Sequence, residues 1–312
     1  RHAVNSLQER FLLLNGDSFL DTNWLDLMVA SGSPAPLAVM ALRRVEDTSR
    51  YGIVTIQDDL ITGFSERGSQ RGGLINAGVY LIDRRILSYL PEVGSLEQSV
   101  LPGLAARGLV RGRVQGGFFL DIGVPAALAD AQKLFPRLRR RAAVFFDRDG
   151  TLNVDNGYVH RPEDLHLLPG TIAAVKRVND LGHYAFVVTN QAGVAHGYYA
   201  ESDVEAFNMH LQRKLRASGA HIDEFCYCPD HPEGKVPSYR RISAWRKPSP
   251  GMILDLMDRW PIVRELSLVV GDKESDVQAG KAAGIRSLLY TGGNLDEFLA
   301  PHLAPAFQIA NN

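Results

Sequence analysis

Across the second half of the chain, short apolar runs alternate with stretches of helical period. AVFFD (143–147) is followed by TIAAVKRVNDLG (171–182), and YAFVVTN (184–190) by SDVEAFNMHLQRKLRASG (202–219). LSLVVGD (266–272) is followed by SDVQAGKAAG (275–284), and RSLLYTGG (286–293) comes last. Strand then helix, repeated, predicts a parallel sheet covered on both faces, a Rossmann-like α/β fold. Over 203–217 the apolar positions Val204, Phe207, Leu211 and Leu215 lie on one helix face. Ser202 and Glu205 have the spacing of a capping box, and Gly219 marks the stop. This helix is expected to support the sheet and to carry no site.

Ahead of this block the pattern is more broken. FLLLNGDSFLD (11–21) predicts a buried strand ending at Asp17, GLINAGVYLID (73–83) another strand, and GFFLDIGVP (117–125) sets Asp121 beside a glycine turn. The chain begins mid-pattern and without methionine, so it reads as a fragment lacking its first elements. KLFPRLRRRAAV (133–144) concentrates Arg137, Arg139, Arg140 and Arg141 between two apolar patterns. A solvated basic linker is the expectation there. The expected layout is a partial α/β domain over 1–133, a linker over 134–142 and a second α/β domain over 143–305.

Composition narrows the function. The 312 residues include 45% hydrophobic ones, enough for a real core, and the net charge of -1 gives no field to draw nucleic acid or an acidic membrane. No apolar run approaches the roughly 18 residues of a membrane span, and no secretory signal is present. Cys226 and Cys228, the two cysteines, stand one residue apart and make a poor disulfide pair. A cytoplasmic location is expected.

Carboxylates fall where such a sheet binds ligands, beyond the carboxyl ends of its strands. VFFDRDGTLN places Asp147 and Asp149 at one strand exit with Gly150 to allow a sharp turn; FVVTNQAG places Thr189 and Asn190 at the next; LVVGDKESD places Asp272 and Asp276 at a third. Crowded carboxylates need a cation, and oxygen-only ligation suits Mg²⁺. Asp147 and Asp149 share a face of an extended segment, so one can attack while the other handles a proton. Lys247, in WRKPSP, is the candidate to balance charge on a transferring phosphoryl group.

DxDGT, a strand ending in Thr, a Lys, then GDxxxD, in that order, resemble the haloacid dehalogenase superfamily of phosphatases. FFDRDGTLNVDNGYVHRPEDLHLLPG, VVTNQAGVAHGYY, YCPDHPEG, RKPSPGM and GDKESDVQAGKAAGI, spanning about 143–292, resemble more narrowly the D-glycero-D-manno-heptose 1,7-bisphosphate 7-phosphatases. The resemblance implies an aspartyl-phosphate enzyme acting on a small sugar bisphosphate. Asp147 is then the nucleophile and Asp149 the general acid and base, with Thr189 and Lys247 on the phosphoryl group. Mg²⁺ would take the Asp147 carboxylate, the Asp149 carbonyl and Asp272. Asp155, Asn156, Gly157, Tyr158, Asn190, Gln191, Arg246 and Lys273 would meet the substrate. Asp276 is expected to orient Lys247 or cap the next helix. Histidinol-phosphate phosphatase, which shares the pattern, is the alternative.

That family carries a zinc loop whose four ligand positions correspond here to Cys228, Asp230, Ser243 and Trp245. Ser and Trp cannot complete a tetrahedral set, and Cys226, Cys228, Asp230 and His231 offer at best a cramped substitute. No structural zinc is expected, with Trp245 and Tyr239 filling the volume instead. The first block is similar to sugar-1-phosphate nucleotidyltransferases, in which positions matching Asp17 and Asp121 bind Mg²⁺, and Glu66 and Arg67 stand for a sugar-contacting Glu-Lys pair. Its Gly-rich nucleotide loop is missing, so no nucleotide transfer is expected of it. A longer parent would add a second activity, of the guanylyl kind by a leaning towards mannose-type transferases, and that favours the α-anomer.

Overall fold

The computed structural model describes residues 4–30, 34–65, 71–123 and 125–303. The chain divides into two compact units, 1–133 and 134–312.

The first unit contains β1 (Arg10–Leu14), β2 (Ser18–Leu20), α1 (Trp24–Met28), β3 (Ala38–Asp47), β4 (Ile53–Gln57), β5 (Leu60–Ser65), β6 (Arg71–Asp83), α2 (Leu101–Ala105), β7 (Val110–Gln115) and β8 (Phe119–Asp121). Six strands form a mixed sheet in the order β1-β6-β3-β7-β5-β4, and β2 pairs with β8 separately. Met40, Leu42, Ile61, Tyr80 and Ile82 centre one apolar cluster; Leu27, Val39 and Ala41 belong to another. The expectation of a buried first strand is corrected. Among the described residues β1 lies at the sheet edge and pairs with β6 alone, and Leu14 is 51% exposed. Glu66 and Arg67 lie outside the described residues.

The helix α3 (Pro125–Leu138) runs through most of the segment read as a linker. Arg137, Arg139 and Arg140 are exposed there, as solvated charges should be.

The second unit comprises β9 (Ala143–Phe146), α4 (Thr171–Asp180), β10 (Tyr184–Asn190), α5 (Gly193–His196), α6 (Glu201–Arg216), β11 (Glu224–Cys228), α7 (Gly251–Arg259), β12 (Leu268–Gly271), α8 (Glu274–Ala282), β13 (Arg286–Leu289) and α9 (Leu295–Leu299). Its five strands are all parallel, in the order β11-β10-β9-β12-β13. The period-2 geometry of a strand divides their side chains between two layers. Val144, Phe146, Ala185, Val187 and Val270 join Phe207 and Leu211 of α6; Ala143, Phe145, Phe186, Val188 and Val269 join Ile253 and Leu256 of α7. Both faces are therefore dry, as the strand–helix alternation requires.

Two local expectations shift. α6 begins one residue before Ser202, and it is Asp203 that reaches back, accepting the Ala200 N–H at 2.8 Å. The start of the cysteine-bearing stretch is edge strand β11 rather than loop. Among the described residues no helix is long and apolar enough to cross a membrane.

Candidate active site

β9 is the central strand, flanked by β10 and β12, so the three strand exits that carry polar residues open on one rim. Asp147 follows β9 directly, and its N–H donates to the Val270 carbonyl at 2.8 Å, tying the turn to β12. The turn then folds back at Gly150 (φ 89°), whose N–H donates to the Asn153 carbonyl at 2.7 Å. A Cβ at position 150 would stand 2.3 Å from Asp272 Oδ2, so only glycine lets the loop press against that carboxylate.

Lys247 is the centre of charge. Its ammonium is buried and donates to Asp147 Oδ1 at 2.7 Å and to the Val188 carbonyl at 2.8 Å, with Asp276 Oδ1 at 2.5 Å. Burial alone would lower the lysine pKa; Asp147 and Asp276 outweigh it and raise it, keeping the ammonium charged. Burial raises the pKa of Asp147, and Lys247 opposes that rise. Asp276 also accepts the Lys273 N–H at 3.0 Å, so it both caps α8 and orients Lys247.

Asp149 accepts four hydrogen bonds from three residues. Arg148 donates to both its oxygens, Asn153 to Oδ1 at 3.0 Å and Gln191 to Oδ2 at 2.9 Å. Gln191 also donates to the Thr189 hydroxyl at 2.9 Å and accepts from Tyr199 at 2.9 Å.

Asp147, Asp272 and Asp276 offer oxygens that lie within 4.8 Å of one another. Asp272 Oδ1 is buried with no hydrogen-bond partner, an arrangement a cation relieves. An all-oxygen set with an unsatisfied carboxylate fits Mg²⁺. Asp276 spends one oxygen on Lys247 and the other on the Lys273 N–H, whereas Asp147 gives Oδ1 to Lys247 and Asp272 keeps Oδ1 unpartnered, so Asp147 and Asp272 are the carboxylates with an oxygen to offer.

At the rim, Lys273 pairs with Asp155 at 3.0 Å, and Asp155 accepts the Gly157 N–H at 2.9 Å. Asn156 is exposed on the same loop. Tyr158 holds a left-handed backbone (φ 55°), which turns its exposed ring edge-on to Tyr198 at 4.8 Å. Arg246 donates to the Asp230 carbonyl at 3.3 Å. Two residues expected to meet the substrate are tied into the site's own hydrogen bonds. Gln191 is 1% exposed with its amide consumed by Asp149, Thr189 and Tyr199, and Asn190 uses both ends of its amide on the Lys247 backbone at 3.0 Å. They hold the machinery in place. Sequence reading missed Arg148, Asn153, Tyr199 and Asn208; the one available signal was a charged Arg148 set between two strand-end aspartates.

Among the described residues, Cys226, Cys228, Asp230 and His231 do not converge on one point. Both thiols sit in the apolar layer under α7, and burial pushes Cys226 up to about 12. The Asp230 N–H and the Ser243 hydroxyl reach the Cys228 sulfur, and Arg241 pairs with Asp230 at 2.9 Å. The loop is thus cross-tied by hydrogen bonds and an ion pair. Trp245 does not fill the volume as expected. It is 39% exposed and lines an open cleft of about 640 Å³, while Tyr239 bonds Glu201 at 2.7 Å. In the first unit Asp17 and Asp121 face one another across Gly123, where a Cβ would meet their oxygens at 3.4 and 3.1 Å; Arg50 pairs with Asp121 at 2.8 Å.

A central strand that exits into Asp147 and Asp149, a flanking strand that exits into Asp272, and a buried lysine beside the first aspartate define a phosphatase of the haloacid dehalogenase type. Residues 244–312 match the HAD-hydrolase-like family model, and residues 2–136 match the nucleotidyl transferase model. A D-glycero-beta-D-manno-heptose-1,7-bisphosphate 7-phosphatase of Rhodopseudomonas palustris is 45% identical over 160 residues, covering 51% of this chain and 89% of that protein. A D-glycero-alpha-D-manno-heptose-1,7-bisphosphate 7-phosphatase of Burkholderia mallei is 41% identical over 150 residues, 48% of this chain and 79% of that protein. The crystal structure of D,D-heptose 1,7-bisphosphate phosphatase from B. bronchiseptica, complexed with magnesium and phosphate, is 30% identical, covers 51% of this chain and 86% of that one, and has a TM-score of 0.44. The chain belongs to the heptose-1,7-bisphosphate 7-phosphatase family, with a nucleotidyltransferase-type unit ahead of the phosphatase.

Proposed function

We propose that the chain hydrolyses the 7-phosphate of D-glycero-D-manno-heptose 1,7-bisphosphate through an aspartyl-phosphate. The observation that carries this reading is the meeting of Asp147 and Asp272 at adjacent strand ends with the buried Lys247 ammonium on Asp147, and Asp149 two residues further on. An Asp147 oxygen attacks phosphorus, the bond from phosphorus to the C7 oxygen breaks, and the Asp149 carboxyl gives its proton to the departing oxygen. Water then attacks the same phosphorus and passes a proton to Asp149, and the bond to Asp147 breaks to release phosphate. Lys247 neutralises charge on the phosphoryl group throughout, and Thr189 orients it. Mg²⁺ would be held by the Asp147 carboxylate, the Asp149 carbonyl and Asp272, and when bound it supplies positive charge against the phosphoryl oxygens. Arg246 and Lys273 offer the rim the cations that a second phosphate and sugar hydroxyls need.

Phosphate release with Mg²⁺ is measured from the α- and β-anomers of heptose 1,7-bisphosphate and from histidinol phosphate. Turnover of either heptose anomer supports the reading, and the preferred anomer tells which heptose the phosphatase serves. Turnover of histidinol phosphate alone sinks the substrate assignment. Asp147→Asn is expected to abolish turnover while circular dichroism stays unchanged; activity near wild type removes Asp147 as the nucleophile.

A further inference from the structure

Arg148 stands between the two aspartates of the turn, and its side chain is 0% exposed. A guanidinium so buried must have its donors met by protein groups. Nε and Nη2 grip the two oxygens of Asp149 at 2.9 and 2.8 Å, and Nη2 also reaches the Val159 carbonyl at 2.9 Å. Nη1 donates to Asn208 Oδ1 at 3.1 Å, and the guanidinium carbon lies 4.4 Å from the centre of the Phe207 ring. Phe207 and Asn208 are buried residues of α6, the helix that the sequence reading treated as support alone. On an exposed segment a neighbouring Arg–Asp pair is worth little. Here burial, an aromatic face and an outer amide immobilise the fork, and a planar fork fixes the plane of the carboxyl it holds.

We propose that Arg148, anchored on α6 by Asn208 and Phe207, is a positioning residue for Asp149, acting beside the Asn153 and Gln191 amides that donate to the same carboxyl. This rests on the reading of Asp149 as the group that hands a proton to the leaving oxygen. That oxygen is an alkoxide when the bond from phosphorus to the sugar C7 oxygen breaks, and it needs the proton. A 2,4-dinitrophenolate departs without one. A group acting only through Asp149 therefore matters for the first ester and little for the second, whereas a group holding the fold matters equally for both.

The test compares kcat/KM, which reports formation of the aspartyl-phosphate, on heptose 1,7-bisphosphate and on 2,4-dinitrophenyl phosphate. Arg148→Met is expected to lose about 100-fold on the sugar ester, the scale of one displaced proton-transfer group, and far less on the dinitrophenyl ester. Arg148→Lys, which keeps charge without the fork, recovers part of the loss. Asn208→Leu leaves the grip on Asp149 and removes only its outer anchor. It gives the same selective loss on a smaller scale, and it carries the test if Arg148→Met does not fold. Equal losses on both esters, or none on either, overturn the proposal. Asp149→Asn is measured alongside. If it shows no selectivity, the proton-donor reading fails and takes the role of Arg148 with it. If it is selective while the Arg148 and Asn208 variants are not, the positioning role alone fails.

Discussion

At the residue scale the deciding fact is that Lys247 shares a buried site with two carboxylates. Removing one partner of such a site strands the others without water, at a cost of about 3–5 kcal/mol. Lys247→Met is accordingly expected to lower the unfolding free energy by an amount in that range, seen as an earlier urea midpoint, besides losing turnover. Adding Asp276→Asn to Lys247→Met should recover part of it, because one stranded charge is then gone; equilibrium unfolding of the three proteins checks both statements. The acidic residues were legible in the sequence because strand exits are where an open α/β sheet exposes side chains, and Asp147 and Asp272 each close an apolar run, with Asp149 two residues beyond the first. The internal bonds of Gln191 and Asn190 were not. Their residue types suit a ligand as well as a scaffold, and the packing of Tyr199 and the Lys247 backbone against them is a tertiary fact that no local pattern carries.

At the element scale α9 is tied to α4 by Arg177, which donates to both oxygens of Asp296 at 2.7 and 2.8 Å. The Arg177 hydrogen bonds hold the Asp296 pKa below the usual carboxylate value. A depressed folded-state value means that the stabilisation is complete above the ordinary carboxylate range and disappears as pH falls through the folded-state value. Arg177 is half open to water, so the contribution is at most about 1 kcal/mol. Asp296→Asn is expected to melt lower than wild type near neutral pH, with the gap closing in acid; a series of melting curves across pH checks it. Elements with long apolar periods, such as α6, were read correctly from pattern. β11 was hidden because its five residues lie against a stretch rich in Pro, Asp and Gly. β1 was read as buried because its leucines say nothing about having only one neighbouring strand.

At the scale of the whole molecule each unit has apolar clusters of its own, with Leu42 in one and Phe186 in another. Leu42→Ala is expected to cost about 2–5 kcal/mol in the first unit while phosphate release persists. Phe186→Ala should weaken the second unit and carry the activity down with it. Trp24 reports on the first unit and Trp260 on the second, so single-tryptophan fluorescence unfolding separates the two transitions. The division of labour inside the second unit has a further consequence. Asp147 and Asp272 stand on strand exits and Lys247 is buried between them and α8, while Asn156, Tyr158, Tyr198 and Lys235 sit exposed on connecting segments. Inherited variation in those segments leaves the packing of the strand exits untouched. A descendant of this scaffold can therefore reshape its rim one loop at a time over an unchanged floor.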